Sequence, residues 1–422
     1  METKEFRLGP HDTIVGMDLG SIEHQVVIKD ATGKRLTCFR IGHSIEDMDE
    51  LVRRARMIVK SQGEKGEAVF AFEATGHVWE AVAHHLKERG ERYVIVNPLA
   101  TFRVREARQM SREKTDITDA EQIAELVRSG LVTRTRLDGP QYHELRFAWR
   151  EYERLCGERA RLKALLRHQM YGLFPELLKV WSKLDQPGCL SVIRLGLTPH
   201  QIAALPVPEF IRQVKQNTRG RRLWRHKLIQ AHRWAQRTVA PPRFPAALAR
   251  ETCRIVDRMD LISCQMEALR KEIDAMLEGI EEASYLRTIP GLGWATVAGL
   301  IAHIGCVGEY RHGRQLIKLA GTNPSSKDTG QRLGKIHRMT RRGRAGMRHV
   351  LYMATISCLQ HNPRIHAHYQ RLIQREDRPL EKMVALGACM NKLLLYSFAV
   401  MKKRQAFDSE HSWEENQKRL AA

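Results

Sequence analysis

Short apolar runs alternate with amphipathic segments over the first third of the chain. Apolar runs of strand length bounded by turn residues predict β-strands, and apolar positions three and four apart predict helices. Strands are predicted at Thr13–Met17, His24–Asp30, Arg35–Ile41, Ala68–Phe72 and Tyr93–Val96, and helices at Ser44–Lys60, at Val78–Lys87 and from about Asp116. Strands that alternate with helices imply an α/β sheet that is covered on at least one face.

Two long helical patterns follow, Gln141–Phe174 and Ala246–Glu282. The second keeps heptad a and d spacing of apolar residues from Ile255 to Ile280, which is typical of a coiled-coil seam. An ordinary amphipathic helix packed on a core would show the same spacing. We expect the two helices to pair, within one chain or between chains, and pairing between chains would give a homo-oligomer, a dimer or a tetramer.

The segment between the long helices is less regular and contains a basic stretch, Arg219–Arg237. Basic residues with interleaved tryptophans can follow a phosphate backbone while an aromatic face stacks on a base. A solvated helix with Trp224 and Trp234 turned to a core would have the same composition, so both interpretations stay open.

The charge balance of the chain points to a polyanionic partner. Seventy Lys and Arg face 48 Asp and Glu, a formal charge of +22, and such an excess favours nucleic acid. No run of about 18 apolar residues suggests a membrane span, so no membrane partner is expected. The eight cysteines are scattered without a Cys-x-x-Cys pair, which argues against zinc and for reduced thiols in a cytoplasm.

Four acids form the main candidate for chemistry. Asp18 follows the first apolar run, Glu73 closes a later one, and Asp116 and Asp119 open a helix three residues apart. Residues at that spacing share one face of a helix, so all four carboxylates can meet at one edge of the sheet. Such hard oxygen ligands suit Mg²⁺ or Mn²⁺. The simpler account of Asp116 and Asp119 is a negatively charged first helical turn.

A glycine-containing turn begins the last third of the chain. Thr288–Gly293 lies before a helix predicted at Ala295–Ile304, and Gly291 and Gly293 would let backbone N–H groups face an anion. The pattern predicts a helix-hairpin-helix that binds nucleic acid, although glycines also simply close turns between helices.

The strongest candidate for phosphate binding is Gln331–Val350. This segment has seven cationic side chains and no acid, a composition suited to a phosphate backbone. The cations are Arg332, Lys335, Arg338, Arg341, Arg342, Arg344 and Arg348.

Three short motifs resemble a known family. Gly16–Gly20, Phe72–Gly76 and Lys114–Ala120 are similar, in order and spacing, to the DEDD tetrad of insertion-sequence transposases with a RuvC-like, RNase H-type N-terminal domain. The resemblance implies that Asp18, Glu73, Asp116 and Asp119 are catalytic and hold Mg²⁺ or Mn²⁺.

The C-terminal part resembles the transposase domain of the same family at Leu319–Pro324, Asp328–Gln331 and Arg341–Gly343. The resemblance implies an α/β RNase H/RuvC-like domain and a C-terminal transposase domain. With the heptad seam and the glycine-containing turn, we expect a long helical coiled-coil region between them and an all-α C-terminal domain with the helix-hairpin-helix. These would cover residues 10–138, 139–284 and 285–404, with a tail at 405–422.

In that family a serine before a glycine attacks DNA and forms a covalent intermediate, and some members use a structured guide RNA. Here Thr329 stands before Gly330. Three possibilities follow: a threonine nucleophile, a displaced Ser325 or Ser326, or a protein without the covalent intermediate. The implied function is a transposase or site-specific DNA recombinase. The alternative is a metal-dependent, structure-specific nuclease of resolvase type, in which water attacks.

Overall fold

A computed structural model of the chain describes residues 7–63, 65–74, 78–96, 101, 115–133, 139–218, 224–239, 245–325 and 338–408. The chain divides into two compact units, Met1–Leu137 and Asp138–Ala422. The first contains a sheet with helices, as expected. The second is mostly helical, but a short two-stranded ladder of Pro324–Ser325 with Arg338–Met339 corrects the expected all-α C-terminal domain.

A six-stranded mixed sheet forms the first unit, in the order β3-β2-β1-β4-β5-β6. The first three strands form an antiparallel meander, β1 pairs parallel with β4, and β4 pairs parallel with β5. The strands are β1 Thr13–Leu19, β2 His24–Lys29, β3 Arg35–Ile41, β4 Ala68–Glu73, β5 Arg92–Val96 and β6 Val132–Thr133. The five predicted strands are therefore confirmed within one or two residues.

Helices cover both faces of this sheet. α1 (Ile45–Ser61) and α2 (Val78–Glu88) bury one face around Phe70 and Phe72, while α3 (Asp116–Arg128) covers the other. The Ser44 hydroxyl accepts a hydrogen bond from the Asp47 N–H and forms the capping box that begins α1.

The two long helices, α4 (Pro140–Leu173) and α10 (Pro245–Glu278), pack against each other within one chain. The predicted second helix extends four residues too far. It ends before Gly279, and Ile280 has an extended backbone as the N-cap of the next helix.

The heptad positions of α10 are buried within this chain. Ile255 and Ile273 have no exposed surface, and Met259 and Ile262 are also buried. The packing explains the seam without a partner chain, and a coiled coil between chains is not confirmed.

In the described part of the connection between the long helices, five shorter helices form a core with the far ends of that pair around Phe174 and Phe210. They are α5 Leu177–Val180, α6 Pro187–Ile193, α7 Pro199–Ala204, α8 Val207–Gln216 and α9 Arg225–Ala235. Trp224 is 61% exposed, whereas Trp234 packs at the core with the Lys179 ammonium 4.3 Å from its ring centroid. Each interpretation of the basic stretch thus fits one tryptophan, and Arg219–Leu223 lie outside the described residues.

The opposite ends of the long helices pack with the C-terminal helices in a separate core. The elements are α11 Glu281–Arg287, α12 Trp294–Ile304, a 3₁₀ turn Val307–Glu309, α13 Gly313–Ala320, strands β7 Pro324–Ser325 and β8 Arg338–Met339, α14 Ala345–His361, α15 Pro363–Ile373 and α16 Lys382–Lys403. The predicted boundary at residue 284 therefore crosses this core, because Tyr142 and Ile273 belong to it together with Leu393.

α16 alone among the described helices is long and apolar enough to cross a bilayer, with a mean hydropathy of 1.6 over 18 residues. Half of that window is buried, and the helix packs on α13, α14 and α15. Leu393 and Leu394 have no exposed surface. Its apolar composition thus matches its position in the core of the second unit.

Candidate functional site

Two of the predicted acids lie side by side at the carboxyl ends of neighbouring parallel strands. Met17 of β1 is paired with Phe72 of β4, so Asp18 and Glu73 come next on the two strands. Side chains alternate between the faces of a strand. Since Ile14 and Ala71 pack under α3, Asp18 and Glu73 share the face that α3 covers.

A close approach of α3 to β1 brings the other two acids to that edge. A Cβ added to Gly16 would lie 2.4 Å from the Ala120 carbonyl oxygen and 2.9 Å from Ala124 Cβ, so only glycine allows the helix this close. The first helical turn, with Asp116 and Asp119, is thereby directed to the strand ends. Asp119 is 5% exposed, and Asp116 stands out into solvent.

Asp116 interacts with an arginine from the far side of the meander. Arg40 Nη2 lies 3.3 Å from Asp116 Oδ2, and its Nε donates to Gln25 Oε1 at 3.3 Å. The strand register places Asp18, Gln25 and Arg40 in one row across three strands. The buried Gln25 side chain donates in turn to the Phe39 carbonyl at 3.0 Å.

These acids suit a hard divalent cation in their chemistry and in the face that they share. Within the described ranges, however, no three acidic, histidine or cysteine side chains are grouped as a metal site. Asp116 points to Arg40 instead. A cation held by the four acids would therefore require at least the Asp116 side chain to turn.

Two glycines pack closely against each other beside the basic segment Gln331–Val350: Gly321, which follows α13, and Gly343, which lies within the segment. Gly321 has a left-handed φ of +67°, and a Cβ there would lie 2.8 Å from the Gly343 nitrogen. A Cβ on Gly343 would meet the Gly321 nitrogen at 2.4 Å. Larger residues would separate α13 from the chain that enters α14.

A short antiparallel ladder follows this crossing. Pro324 pairs with Met339 and Ser325 with Arg338, and Thr340 Oγ1 donates to Asn323 Oδ1 at 2.8 Å. The ladder fixes both ends of the segment with the predicted nucleophile. Thr329 itself, together with Ser326, Arg332 and Lys335, lies outside the described residues, as do the side chains of Ser325 and Arg338.

The remaining predicted arginines divide into two pairs. Arg348 Nη1 donates to the carbonyls of Ala320 and Gly343, both at 3.0 Å, and Arg344 Nη1 donates to the His303 carbonyl. These guanidinium groups hold the backbone of the segment. Arg341, with φ +53°, and Arg342 are exposed and are better placed to meet phosphate.

The glycine-containing turn Thr288–Gly293 connects the two helices α11 and α12. Gly291 has a φ of +92°, and a Cβ on it would lie 2.8 Å from Cys358 Cα on α14. Its conformation and its lack of a side chain are thus explained by packing. Gly293 is the N-cap of α12, with open space around its Cα. A nucleic-acid role for the two glycines stays a prediction.

Two models of known transposase families match this chain, one from the first unit into the second and one within the second. A model of DEDD transposases of IS110 matches residues 15–175, and a model of the transposase IS116/IS110/IS902 family matches residues 283–370. The chain belongs to this family of DEDD-type insertion-sequence transposases.

Two insertion-element proteins resemble the chain over most of its length, and a third protein resembles a shorter part of it. The mini-circle putative transposase for IS117 of Streptomyces coelicolor is 21% identical, over 94% of this chain and 96% of the relative. An uncharacterized 44.8 kDa protein of insertion element IS116 from Streptomyces clavuligerus is 25% identical, over 82% and 84%. A pilin gene-inverting protein of Moraxella bovis is 30% identical over 30% of this chain and 38% of its own.

The sequence interpretation missed Gln25 and Arg40 at the acidic edge of this transposase fold. Both are polar residues on strands with apolar neighbours, and they oppose each other across the meander. The period-two pattern placed each on one face of its strand. The pairing with Asp116 required the register and the position of α3.

Proposed function

We propose that the chain is the recombinase of an insertion sequence, which cuts and rejoins DNA with a divalent cation held by Asp18, Glu73, Asp116 and Asp119. One observation carries the proposal: Asp18 and Glu73 follow paired residues of neighbouring parallel strands, under the first turn of the helix with the other two acids. Membership of the transposase family supports DNA as the substrate.

Mg²⁺ or Mn²⁺, when bound, would neutralise charge on the phosphodiester that reacts. Asp18, Glu73, Asp116 and Asp119 would hold the cation, and in the second unit Arg341 and Arg342 would bind the phosphate backbone of the DNA. A threonine hydroxyl at Thr329 forms the new O–P bond as the DNA ester bond breaks, and the departing DNA hydroxyl takes the proton. Family resemblance supports this last role.

The proposal is tested by cation binding and by strand transfer together. Asp119→Asn should abolish strand transfer and weaken Mn²⁺ binding in calorimetry by at least tenfold, because a carboxylate ligand becomes a neutral amide. Glu121→Gln is the matched control, since Glu121 lies on the same helix and pairs with Arg35 at 3.1 Å. Normal strand transfer and normal Mn²⁺ affinity in Asp119→Asn would refute the metal site.

A resolvase-type nuclease is the second candidate. It shares the acids but uses water, so Thr329→Ala would keep cleavage and no protein–DNA adduct would form in the wild type. For the recombinase, denaturing gels should show an adduct that Thr329→Ala removes and Thr329→Ser retains.

Family resemblance also suggests a guide RNA. The homo-oligomer expected from the long helices and the cytoplasmic location expected from the scattered cysteines are proposals as well. Co-purification of a discrete RNA, with loss of DNA selectivity after ribonuclease treatment, would support RNA guidance. Light scattering of the purified chain would give the oligomeric state.

A further inference from the structure

A cluster of cations lies on α15 and α16, outside the segment that the sequence singled out. We call Arg364, Arg371 and Lys392, with the ring of Tyr396, the Lys392 cluster. Asn362 caps α15 by accepting hydrogen bonds from the N–H groups of Arg364 and Ile365 at 3.1 and 3.2 Å. The buried Asn362 therefore fixes the start of the helix.

Arg364 and Arg371 lie on one side of α15. Seven residues are two helical turns, so their Cα atoms are about 10 Å apart along the axis. Ile365 and Leu372, one position further on, are buried. The apolar stripe thus fixes which way α15 faces, and the arginines run along the border of that stripe.

The ring of Tyr396 brings a cation from each helix together. Arg364 Cζ lies 5.6 Å from its centroid and Lys392 Nζ lies 5.1 Å from it. Cations over an aromatic face are attracted by its quadrupole. The ring therefore supports two like charges beside each other.

The cations of the cluster lie close enough to one another to affect neighbouring pKa values. Burial lowers the pKa of Lys392, and the charges of Arg364 and Arg371 lower it further. The pKa of His368 falls to about 4, mainly through burial and then through Arg371, Lys392 and Arg375. Its Nδ1 lies 3.1 Å from Arg371 Nη2 and accepts a hydrogen bond as a neutral imidazole. Positive charge is thus concentrated where α15 and α16 meet.

The cluster borders the glycine turn. Arg364 also lies over Phe407, at 5.7 Å from its centroid, and donates to the Asp408 carbonyl at 2.9 Å. The Phe407 N–H donates to Thr288 Oγ1 at 2.8 Å. The start of Thr288–Gly293 and the cations are thus connected through one short segment of chain.

We propose that the Lys392 cluster binds phosphates of duplex DNA, through cations other than Arg341 and Arg342. The inference rests on the proposed function in taking DNA as the partner. Cations spread over about 10 Å of helix suit successive phosphates better than a single small anion. The cluster would hold DNA beside the turn Thr288–Gly293.

The salt dependence of binding tests this proposal. Arg371→Gln with Lys392→Gln should reduce the slope of log affinity against log salt for a short duplex by about 0.9 for each phosphate that the variant no longer neutralises. Arg212→Gln with Lys215→Gln removes the same charge from α8 and should leave the slope unchanged. Arg371→Lys keeps the charge and should retain the wild-type slope even if Gln variants are less stable.

A positional measurement accompanies the titration. Duplex DNA should protect Lys392, but not Lys215, from acylation followed by mass spectrometry. Unchanged slope and unchanged labelling would overturn the proposal, and so would an effect confined to RNA. In that case, a lower slope in the Arg341→Gln, Arg342→Gln variant would show that the chain still binds DNA through those arginines and that only the proposal for the Lys392 cluster is wrong. A wild-type chain that binds no DNA would refute the proposed function itself.

Discussion

The acidic edge of the sheet and the basic segment around Gly343 are held in place by different interactions. Strand register and the packing of α3 on Gly16 position Asp18 and Glu73. The basic segment depends on individual polar side chains, such as Arg348 and Thr340, that bind backbone or amide groups. Substituting the acids should therefore leave the fold intact, whereas a larger side chain at Gly16 should disrupt it. In the basic segment, the loss of one hydrogen bond should lower the free energy of unfolding.

The largest expected effect comes from adding volume at the acidic edge. Gly16→Val places a branched side chain against the Ala120 carbonyl, only 2.4 Å from the new Cβ. Overpacking of this kind costs about 1–3 kcal/mol and sometimes more, so the free energy of unfolding should fall by about 3 kcal/mol. Hydrogen exchange should accelerate in β1 and α3.

Gly157→Ala is the control for this substitution. Gly157 is in the middle of α4 with no atom near a new Cβ, and alanine there should stabilise the helix by up to about 1 kcal/mol. A Gly16→Val protein with normal protection of β1 and α3 would show that the close approach does not determine the position of the acids.

The basic segment should respond to the loss of one amide. Asn391 Oδ1 accepts from Thr322 Oγ1 at 2.5 Å, and Asn391 Nδ2 donates to the Thr322 carbonyl at 3.2 Å. Asn391→Ala leaves these groups unsatisfied at a cost of about 1–3 kcal/mol. DNA affinity should fall as well, because the ladder begins two residues later.

A double-mutant cycle with Thr322→Val separates this hydrogen bond from general damage. The two substitutions should be non-additive by at least about 0.5 kcal/mol, since they remove the same interaction. Additive losses of unfolding free energy would mean that Asn391 supports the segment by another route.

The difference also explains what the sequence could predict. Strands follow from short apolar runs, and the acids at strand ends follow from those strands. The use of Arg348 could not be predicted, because a basic residue in a basic stretch looks the same whether it meets phosphate or the Ala320 carbonyl. The seam of α10 predicted the pairing with α4 but not whether it lies within one chain, which is where the structure has it.

Lowering the pH should reduce the stability of the sheet around β1 and β2 and leave the basic segment unaffected. His24, opposite Leu19 in the register, is fully buried with Nε2 2.9 Å from His43 Nδ1. Burial, then His43, lowers its pKa to about 4, while Asp47 acts in the opposite direction. A pKa lowered in the folded state contributes stability above the unfolded value of about 6.5, which is lost as the pH falls towards 4.

The measurable loss between pH 7 and pH 5.5 is about 1 kcal/mol. Hydrogen exchange of β1 and β2 should accelerate over this range, and His24→Gln should flatten the dependence. Exchange at Ala345–His361 is the internal reference. An equal acceleration in both regions would assign the pH effect to something other than His24.

The smallest effect concerns the pairing of Arg40 with Asp116. Arg40→Gln removes a cation that competes with a metal ion for the Asp116 carboxylate, 3.3 Å away. An exposed ion pair contributes about 0.2–1 kcal/mol, so Mn²⁺ affinity without DNA should rise by no more than about fivefold. Arg35→Gln, which breaks the pair with Glu121 on the same helix, changes the net charge equally and controls for its general effect. A rise in both variants would reflect net charge alone. Weaker Mn²⁺ binding in Arg40→Gln would show instead that Arg40 organises the acidic edge, because the guanidinium would then be positioning Asp116 for the cation and not withholding it.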